Sequence, residues 1–501
     1  MLSSGTGTNI EPPLDAVVVG NIASPTTITL LVLPANYLVV FRDERPTYPG
    51  HRAEDIMVNE HILKICGKFA YAFLFALVVI PQTSFAKNYS SPVGEADLIT
   101  KPSLLSVTKY AIEHNPSIRA AMKDWEARQK NVVIASWYKN PIFTFTPNTN
   151  YMIWTVTGME TIGFGIEQDI PFPGKLSFQG KVAARRASSA HENIRAVVQE
   201  TERRVWIIYA GYYFADRALE VNLETIRLAR QFEAIAEEKY KVGKASEQDV
   251  IQAQEEISEL EVQRVDLQKE FNSSIGNLNA LLDRPPRAPL GKPEELSATT
   301  PFESLEQLVK EARTARPELK AEQYNVKARA ASLTLAKMAY LPDFQIGGQY
   351  IGIDGTTGIP GHVDNGQPIW MATIGFSLPI WINRVNAQVE QADARLLQEK
   401  SMRRSVEDRV FDQVQRAYEQ LYAAARDEAI YRTTLIPQTS ERIRSAQSGY
   451  QTGIVDFLTL IDSLKSYEGV RLKHYKAIEQ FQVAGANLSR AVGTPVRETI
   501  K

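Results

Sequence analysis

The hydrophobic pattern of this chain is dominated by two very long stretches with helical periodicity. Residues 175–240 contain no proline, and their apolar or small residues recur every three or four positions, as in a helix that packs along one seam. At 1.5 Å per residue, a helix of about 65 residues is about 100 Å long. Asn383–Gln451 repeats the pattern, with Pro437 predicted to kink it locally. Two such rods favour an elongated body over a compact domain with one core.

Shorter helical patterns flank both long stretches. The predicted short helices are Ser103–His114, Ser117–Lys139, Phe302–Thr314 and Glu318–Tyr340. Return helices are predicted at Glu247–Leu282 and Asp456–Val492, each after a Tyr-x-x-Gly turn. Since a short helix and a return helix together match one long helix in length, we expect them to run antiparallel beside it.

Between the short and the long helices, the apolar period changes from helical to two. This alternation is typical of strands with one apolar face. The predicted pairs are marked by Phe143, Phe145, Ile162, Phe164 and Ile166, and by Phe344, Ile346, Tyr350, Ile374 and Phe376. Four strands per chain are therefore expected.

The spacing of glycine and proline residues indicates a tandem duplication. Tyr450 and Gly453 each lie 210 residues after Tyr240 and Gly243, and Pro342 lies 201 residues after Pro141. A constant spacing of this kind indicates that one structural unit occurs twice, and the fold must be proposed on that basis. We predict a first repeat over residues 87–290 and a second over 291–501.

The first 86 residues are predicted to lie outside the folded part. Residues 57–86 have a basic start, a short apolar run and small residues before a cleavage site, which is typical of a secretory signal peptide. Residues 1–56 are interpreted as an unstructured extension or a misassigned start, and the residues from 87 to about 101 as extended. The chain's one cysteine, Cys66, would leave with the signal peptide, so no disulfide is expected.

The strands favour a membrane location. Strands of about ten residues with aromatic ends suit a bilayer, and Tyr151, Trp154, Tyr350 and Trp370 lie where interfacial aromatic residues occur. Four strands cannot close a barrel, and an open edge in lipid leaves backbone groups unpaired. Three identical chains would supply twelve strands. The alternative is a soluble four-stranded sheet that covers a helical bundle.

Composition and motifs argue against other classes of function. A formal net charge of −2 gives no basic face for nucleic acid. The histidines are scattered, no nucleophile or acid–base cluster is present, and no glycine-rich phosphate loop occurs, so we expect neither an enzyme, a metal site nor a cofactor. The aromatic run over residues 206–214 is interpreted as helix packing.

The order of helix, strand pair, long helix, Tyr-x-x-Gly turn and return helix, given twice, resembles the TolC-type outer membrane efflux factors over about residues 100–495. The most specific segments are Gln168–Lys175 (QDIPFPGK), Leu435–Gln438 (LIPQ) and Tyr450–Leu458 (YQTGIVDFL). The first is similar to the strand-to-helix corner of the heavy-metal branch, the CusC and CzcC type.

This resemblance implies a mostly α-helical fold with a small β-barrel part, built from a duplicated helix–hairpin–long helix unit. It implies a homotrimer in which a twelve-stranded transmembrane barrel stands over a long α-helical tunnel that reaches into the periplasm of a Gram-negative bacterium. The implied partners are outer membrane lipid, a periplasmic adaptor (membrane fusion) protein and an inner-membrane pump of the resistance-nodulation-division class.

The same resemblance assigns roles at the helix turns. It implies adaptor contacts at Gly243, Ser246, Gly453, Asp456 and Leu458. It implies a pore entrance at Asp462, Asp456, Thr459, Tyr450 and Asp249. Where relatives have a second acidic residue, this chain has Thr459, so the acidic ring would be weaker or partly replaced by Asp456 one turn earlier. Where they have the arginine of the polar latch, it has Val455, so Tyr450 lacks that partner.

Two of the carboxylates have alternative explanations. Asp456 stands where an N-cap is expected, and Asp249 lies in the first turn of its helix, where it complements the helix dipole. Asp462 lies too far into its helix to cap it, so a pore role is favoured. A ring of three carboxylates would attract cations.

The sequence therefore predicts a passive outer membrane channel of a tripartite efflux system, for metal ions or small toxic compounds. The alternatives are a periplasmic coiled-coil scaffold without a pore and a conduit for type I protein secretion.

Overall fold

The computed structural model describes residues 94–100, 102–148, 161–298, 304–353 and 368–494. The predicted extension, signal peptide and aromatic residues Tyr151 and Trp154 lie outside these ranges, so those predictions stay open. Within the ranges, no helix combines the length and the apolar character that a membrane span requires.

The first half contains five helices and two strands in the described part. They are α1 (Glu95–Thr100), α2 (Leu104–His114), α3 (Pro116–Ser136), β1 (Ile142–Asn148), β2 (Thr161–Ile170), α4 (Lys175–Lys241) and α5 (Glu247–Leu281). The 67-residue α4 matches its prediction closely. Two predictions were wrong: α1 lies in a stretch expected to be extended, and α3 ends at Ser136 because Trp137 already has extended backbone angles.

The second half repeats the order. It contains α6 (Leu305–Ala315), α7 (Pro317–Lys337), a 3₁₀ turn (Met338–Tyr340), β3 (Phe344–Ile353), β4 (Ile369–Phe376), α8 (Ile382–Ile430), α9 (Ile436–Thr452) and α10 (Phe457–Val492). A five-residue π-helical segment, Tyr431–Leu435, joins α8 to α9. Pro437 follows it directly. A proline lacks an N–H group and its ring collides with the carbonyl four residues earlier, so the wider π turn is the irregularity that accommodates Pro437. The predicted kink stays a prediction.

The four strands form one antiparallel sheet in the order β1-β2-β3-β4. The register places Phe145, Phe164, Tyr350 and Trp370 side by side on one face. The residues that share this face are apolar and exposed, and include Phe143, Ile166, Ile346, Ile374 and Phe376. The opposite face carries polar residues and glycines, among them Thr144, Glu167, Gln349 and Thr373, together with Ile142, Ile351, Ile369 and Met371. One side of the sheet is therefore almost wholly apolar, and the other is mainly polar with some apolar residues.

An ion pair ties the corner between β2 and α4 to the start of β3. Lys175, buried at the first position of α4, donates from Nζ to Asp343 Oδ1 at 2.8 Å and to the Leu341 carbonyl at 3.0 Å. The Phe172 backbone N–H donates to the same carboxylate oxygen at 2.7 Å. This contact joins the two halves where the helices meet the sheet, and gives the corner motif a structural role.

The aromatic run of α4 packs inward, as predicted. Tyr209, Tyr212 and Tyr213 are fully buried, and their hydroxyls donate to the Pro102 carbonyl, the Gly291 carbonyl and Glu295 Oε1. Farther along the helices, a second core joins α4 and α5 to α9 and α10. Its members include Phe232, Ala236, Leu260, Ile443, Tyr450, Phe457 and Leu464. This core supports the two helix turns described next.

Candidate functional site

Two helix turns built in the same way lie at the far ends of the long helices. In the first, the Lys244 N–H donates to the Lys239 carbonyl at 2.8 Å, and the Gly243 N–H donates to the Tyr240 carbonyl at 2.9 Å. In the second, Ile454 and Gly453 repeat these two bonds to Gly449 and Tyr450, at 2.8 and 3.2 Å. Both are Schellman motifs, which satisfy the last carbonyls of a helix.

Each turn requires a glycine at the same position. Gly243 has φ of 71° and Gly453 has φ of 83°, in the left-handed region that residues with a Cβ atom adopt at a cost. No other group lies within 4 Å of where a Cβ would stand at either position. The need for glycine is therefore conformational and does not come from close packing.

Different side chains cap the two return helices. Ser246 caps α5 and accepts from the Asp249 N–H at 3.3 Å, while Asp456 caps α10 and accepts from the Thr459 N–H at 2.8 Å. Hydrogen bonds from Thr459 lower the pKa of the exposed Asp456 carboxyl. The capping alternative for Asp456 is thus what the geometry shows, and a pore role for this residue stays a proposal.

Tyr450 connects the second turn to the first. Its side chain is only 3% exposed, and its hydroxyl donates to Asp249 Oδ2 at 3.0 Å. The other oxygen of that carboxylate accepts from Ser246 Oγ at 2.6 Å. Burial is the main cause that raises the pKa of the Tyr450 hydroxyl, and the hydrogen bond to Asp249 adds to it. Asp249 therefore does more than complement a helix dipole, because its carboxylate accepts a hydrogen bond from a buried tyrosine of the other repeat.

Two further residues complete the surroundings of Tyr450. The Lys239 ammonium lies 4.3 Å from the centre of the tyrosine ring and also donates to the Tyr450 backbone carbonyl. The Phe457 ring packs edge-on against Tyr450, with 5.2 Å between ring centres. Sequence reasoning missed both residues. Phe457 follows the cap as an ordinary apolar residue, and nothing in the sequence distinguishes Lys239 from Lys241.

The other predicted entrance residues lie on the exposed side of α10. Thr459 and Asp462 are both exposed, and Asp462 stands well beyond the cap at Asp456. Neither residue takes part in the Tyr450 contact. The predicted entrance set therefore divides into a connected group, Tyr450 with Asp249, and separate exposed side chains on α10.

The end of the molecule at the turns is open to solvent and partly apolar. The five residues predicted to meet an adaptor are all exposed: Gly243, Ser246, Gly453, Asp456 and Leu458. Val242 and Ile454, at 65% and 81% exposure, extend the apolar surface around them. Over the described ranges, no group of three or more His, Cys, Asp or Glu side chains is arranged to hold a metal ion. What the geometry shows is an exposed, partly apolar surface and a contact between repeats.

Comparison with known proteins finds a family match over most of the chain. The model of the family described as "Outer membrane efflux protein" matches twice, at residues 107–283 and 308–494. Two successive matches confirm the duplication, while the exact ends predicted for the repeats remain predictions.

Curated relatives and solved structures agree with this match. The chain is 22% identical to outer membrane protein OprJ of Pseudomonas aeruginosa over 422 residues, covering 79% of this chain and 85% of OprJ. It is 24% identical to the antibiotic efflux pump outer membrane protein ArpC of Pseudomonas putida over 261 residues, covering 50% of this chain and 52% of ArpC. A crystal structure of CusC superposes with a TM-score of 0.68 at 18% identity, covering 83% of this chain and 97% of CusC. The fold is therefore that of the TolC-type channels.

Proposed function

Since this chain belongs to the outer membrane efflux protein family, we propose that three copies of it assemble into one conduit. The chain is the outer membrane channel of an efflux system of a Gram-negative bacterium, and it is a channel rather than an enzyme or a pore-free scaffold. In the proposed trimer, each copy supplies four strands to a transmembrane barrel and its helices to a tunnel below.

The sheet carries this proposal. Within the described residues, β1 pairs only with β2 and β4 only with β3, so the sheet has two free edges. One face is apolar and exposed, and the other is mainly polar, which fits a barrel wall between lipid and water. An open edge in lipid leaves backbone groups without partners at several kcal/mol each. Pairing of β1 with β4 of the next copy removes both edges.

Engineered disulfides test this pairing. Because Cys66 is the chain's one cysteine and lies in the predicted signal peptide, the background is clean. Each variant carries two cysteines. One replaces Thr144 in β1, and the other replaces one β4 residue, taken in turn from Met371 to Gly375. We expect covalent dimers and trimers on non-reducing gels for at least one pair.

The matched control joins Thr144 to Gly165, its partner in β2, within one chain. The Thr144→Cys, Gly165→Cys variant should oxidise and stay monomeric on the same gels. If every pair between β1 and β4 also stays monomeric while this control oxidises, the shared barrel is wrong.

The partners we propose are a periplasmic adaptor protein and an inner-membrane pump of the resistance-nodulation-division class. The exposed turn surface around Gly243, Ser246, Gly453, Asp456 and Leu458 would meet the adaptor. Ile454 and Leu458, at 81% and 57% exposure, offer it apolar contacts. Leu458→Asp should abolish co-purification with the adaptor and leave the channel trimeric. Unchanged co-purification would contradict this surface.

We further propose that the Tyr450–Asp249 contact holds the entrance narrow at rest. Asp462 would line the narrowest part, with Thr459 and Asp456 nearby. Tyr450→Phe removes the hydroxyl and keeps the ring, and should raise the single-channel conductance in planar lipid bilayers. Asp462→Asn should lower the preference for cations without opening the channel, because it removes charge and leaves the latch. Unchanged conductance in Tyr450→Phe would rule out this latch.

Two classes of cargo have separate support. The QDIPFPGK corner is similar to that of the heavy-metal branch, which favours metal ions, while ArpC is named for antibiotic efflux, which favours small organic compounds. Deletion of the gene followed by growth on copper, silver, cobalt and zinc salts, and on a panel of antibiotics, separates them. Sensitivity to one group alone identifies the cargo class. Sensitivity to neither would favour a secreted polypeptide.

A further inference from the structure

Two groups of the first repeat hold Tyr450 at three separate points. A latch through the hydroxyl alone would require only one of these groups. Its hydroxyl contacts Asp249, its ring faces the Lys239 ammonium at 4.3 Å, and its backbone carbonyl accepts from the same ammonium. Lys239 therefore contacts both the side chain and the main chain of one residue in the other repeat.

The position of Lys239 is chemically suited to this double contact. The last carbonyls of a helix carry a partial negative charge, so a cation near them is stabilised. The Tyr450 carbonyl already accepts from the Gly453 N–H, and its second lone pair accepts from Lys239. Tyr450 stands in the last turn of α9, where this charge lies. A cation over an aromatic ring is attracted as well, and more strongly where water is partly excluded. Lys239 is half-buried, whereas the Tyr450 side chain is almost fully buried.

Lys241, in the same last turn of α4, shows what an ordinary lysine does there. Its side chain is 62% exposed and pairs with Glu238 of its own helix at 2.7 Å. Complementing the dipole of α4 therefore does not require Lys239, whose ammonium instead serves the end of α9.

We propose that Lys239 is the positioning residue of the Tyr450 latch, and that its ammonium holds the α9 end of the second turn against the first turn. The proposal rests on the proposed role of the turns in keeping the entrance narrow. It adds a component from the first repeat. The positive charge that relatives have as an arginine at the position of Val455 would in this chain come from Lys239.

Conductance of the purified full-length channel in planar lipid bilayers tests the proposal. Lys239→Met keeps the length of the side chain and removes the charge. We expect the ratio of open to closed channels to rise about fivefold, the change that corresponds to loss of about 1 kcal/mol of coupling. Lys239→Arg, which keeps a cation able to lie on the ring, should restore the wild-type ratio. Lys241→Met should leave it unchanged.

Two further variants separate this proposal from the latch itself. In a Tyr450→Ala background the ring is gone and only the backbone carbonyl at position 450 remains for Lys239, so adding Lys239→Met should raise the open ratio by less than it does in the wild type. If Tyr450→Phe opens the channel and Lys239→Met does not, the role of Lys239 is wrong and the latch stands. If neither opens it, both fail. If Lys239→Met opens the channel and Lys239→Arg fails to restore closure, side-chain packing accounts for the effect and a positioning role of the charge is overturned.

Discussion

The two helix turns share a backbone and differ in what their side chains do. At a spacing of 210 residues, Gly243 corresponds to Gly453 and Ser246 to Asp456, and both pairs keep the same hydrogen bonds. Tyr240 and Tyr450 also correspond, yet Tyr240 is 48% exposed and Tyr450 is 3% exposed. The same residue on the same backbone thus has two different environments.

The positions that surround Tyr450 also differ between the two repeats. The first turn offers Lys239 and Asp249 to Tyr450. At the corresponding positions the second turn has Gly449 and Thr459, so it presents no cation and no carboxylate there. The two turns therefore share their backbone, while Tyr450 has a cation and a carboxylate of the other repeat as partners. Each prediction below compares one turn with the other.

The largest difference is expected when each tyrosine is truncated. Tyr450→Ala removes a buried aromatic ring and should lower the local free energy of opening by about 3 kcal/mol or more. Tyr240→Ala removes an exposed ring and should change it by about 0.5 kcal/mol or less. Hydrogen exchange of the backbone amides at both turns measures the two values in the same molecule. Equal losses would mean that Tyr240 is buried in the assembled channel, and the comparison would fail.

A smaller difference is expected at the acceptor position. Asp249→Ala leaves the buried Tyr450 hydroxyl without its charged acceptor and should cost about 2 kcal/mol by the same measurement. Thr459→Ala, the corresponding change in the second turn, should cost about 0.5 kcal/mol or less because Thr459 is exposed. Asp249→Asn keeps an acceptor and should recover part of the loss. An Asp249→Ala variant with wild-type protection would show that the hydrogen bond contributes nothing.

Local sequence patterns were sufficient to predict the helix turns, the long helix α4 and the strands. Tyr-x-x-Gly placed both turns, the absence of proline placed α4, and alternation such as that of Phe143 with Phe145 placed the strands. These features depend on neighbours within a few residues, or on a face that repeats regularly along the chain. The family and the channel function followed from the order of the elements and were confirmed by the family match.

The contacts between repeats could not be predicted in this way. Tyr450 and Asp249 lie 201 residues apart, and Lys175 and Asp343 lie 168 residues apart. No local period connects such positions, and only the packed fold decides which lysine near a helix end faces a ring. The π-helical segment before Pro437 shows a related limit. The proline indicates that the regular α-helical hydrogen bonding is interrupted there. It does not indicate that the interruption takes the form of a π turn.

Alkaline pH should weaken the second turn's connection through Tyr450. The pKa of its hydroxyl is raised above the ordinary value of about 10 by burial and by Asp249. The unfolded or opened state therefore loses its proton first, so stability is fully present below about pH 10 and falls as the pH rises above it. Tyr450→Phe has no such proton and should show a flatter dependence of amide protection at this turn between about pH 9 and 11. Identical pH profiles would contradict the assignment.

The smallest effect is expected from acid, at the caps of the two return helices. Asp456 caps α10 as a carboxylate whose pKa is lowered by Thr459, whereas Ser246 caps α5 with a hydroxyl that does not titrate. A group with a lowered pKa stabilises the folded state above its ordinary pKa, and this contribution is lost as the pH falls through the lowered value. Below about pH 4, the first turn of α10 should therefore fray more than that of α5. Asp456→Ser should remove the difference, because a serine cap serves equally well at both pH values.

Amide exchange in the first turns of α5 and α10, compared at pH 3 and pH 6 after correction for intrinsic rates, measures this difference in fraying. If Asp456→Ser leaves the acid response of α10 intact, the response has another origin and the two caps are equivalent.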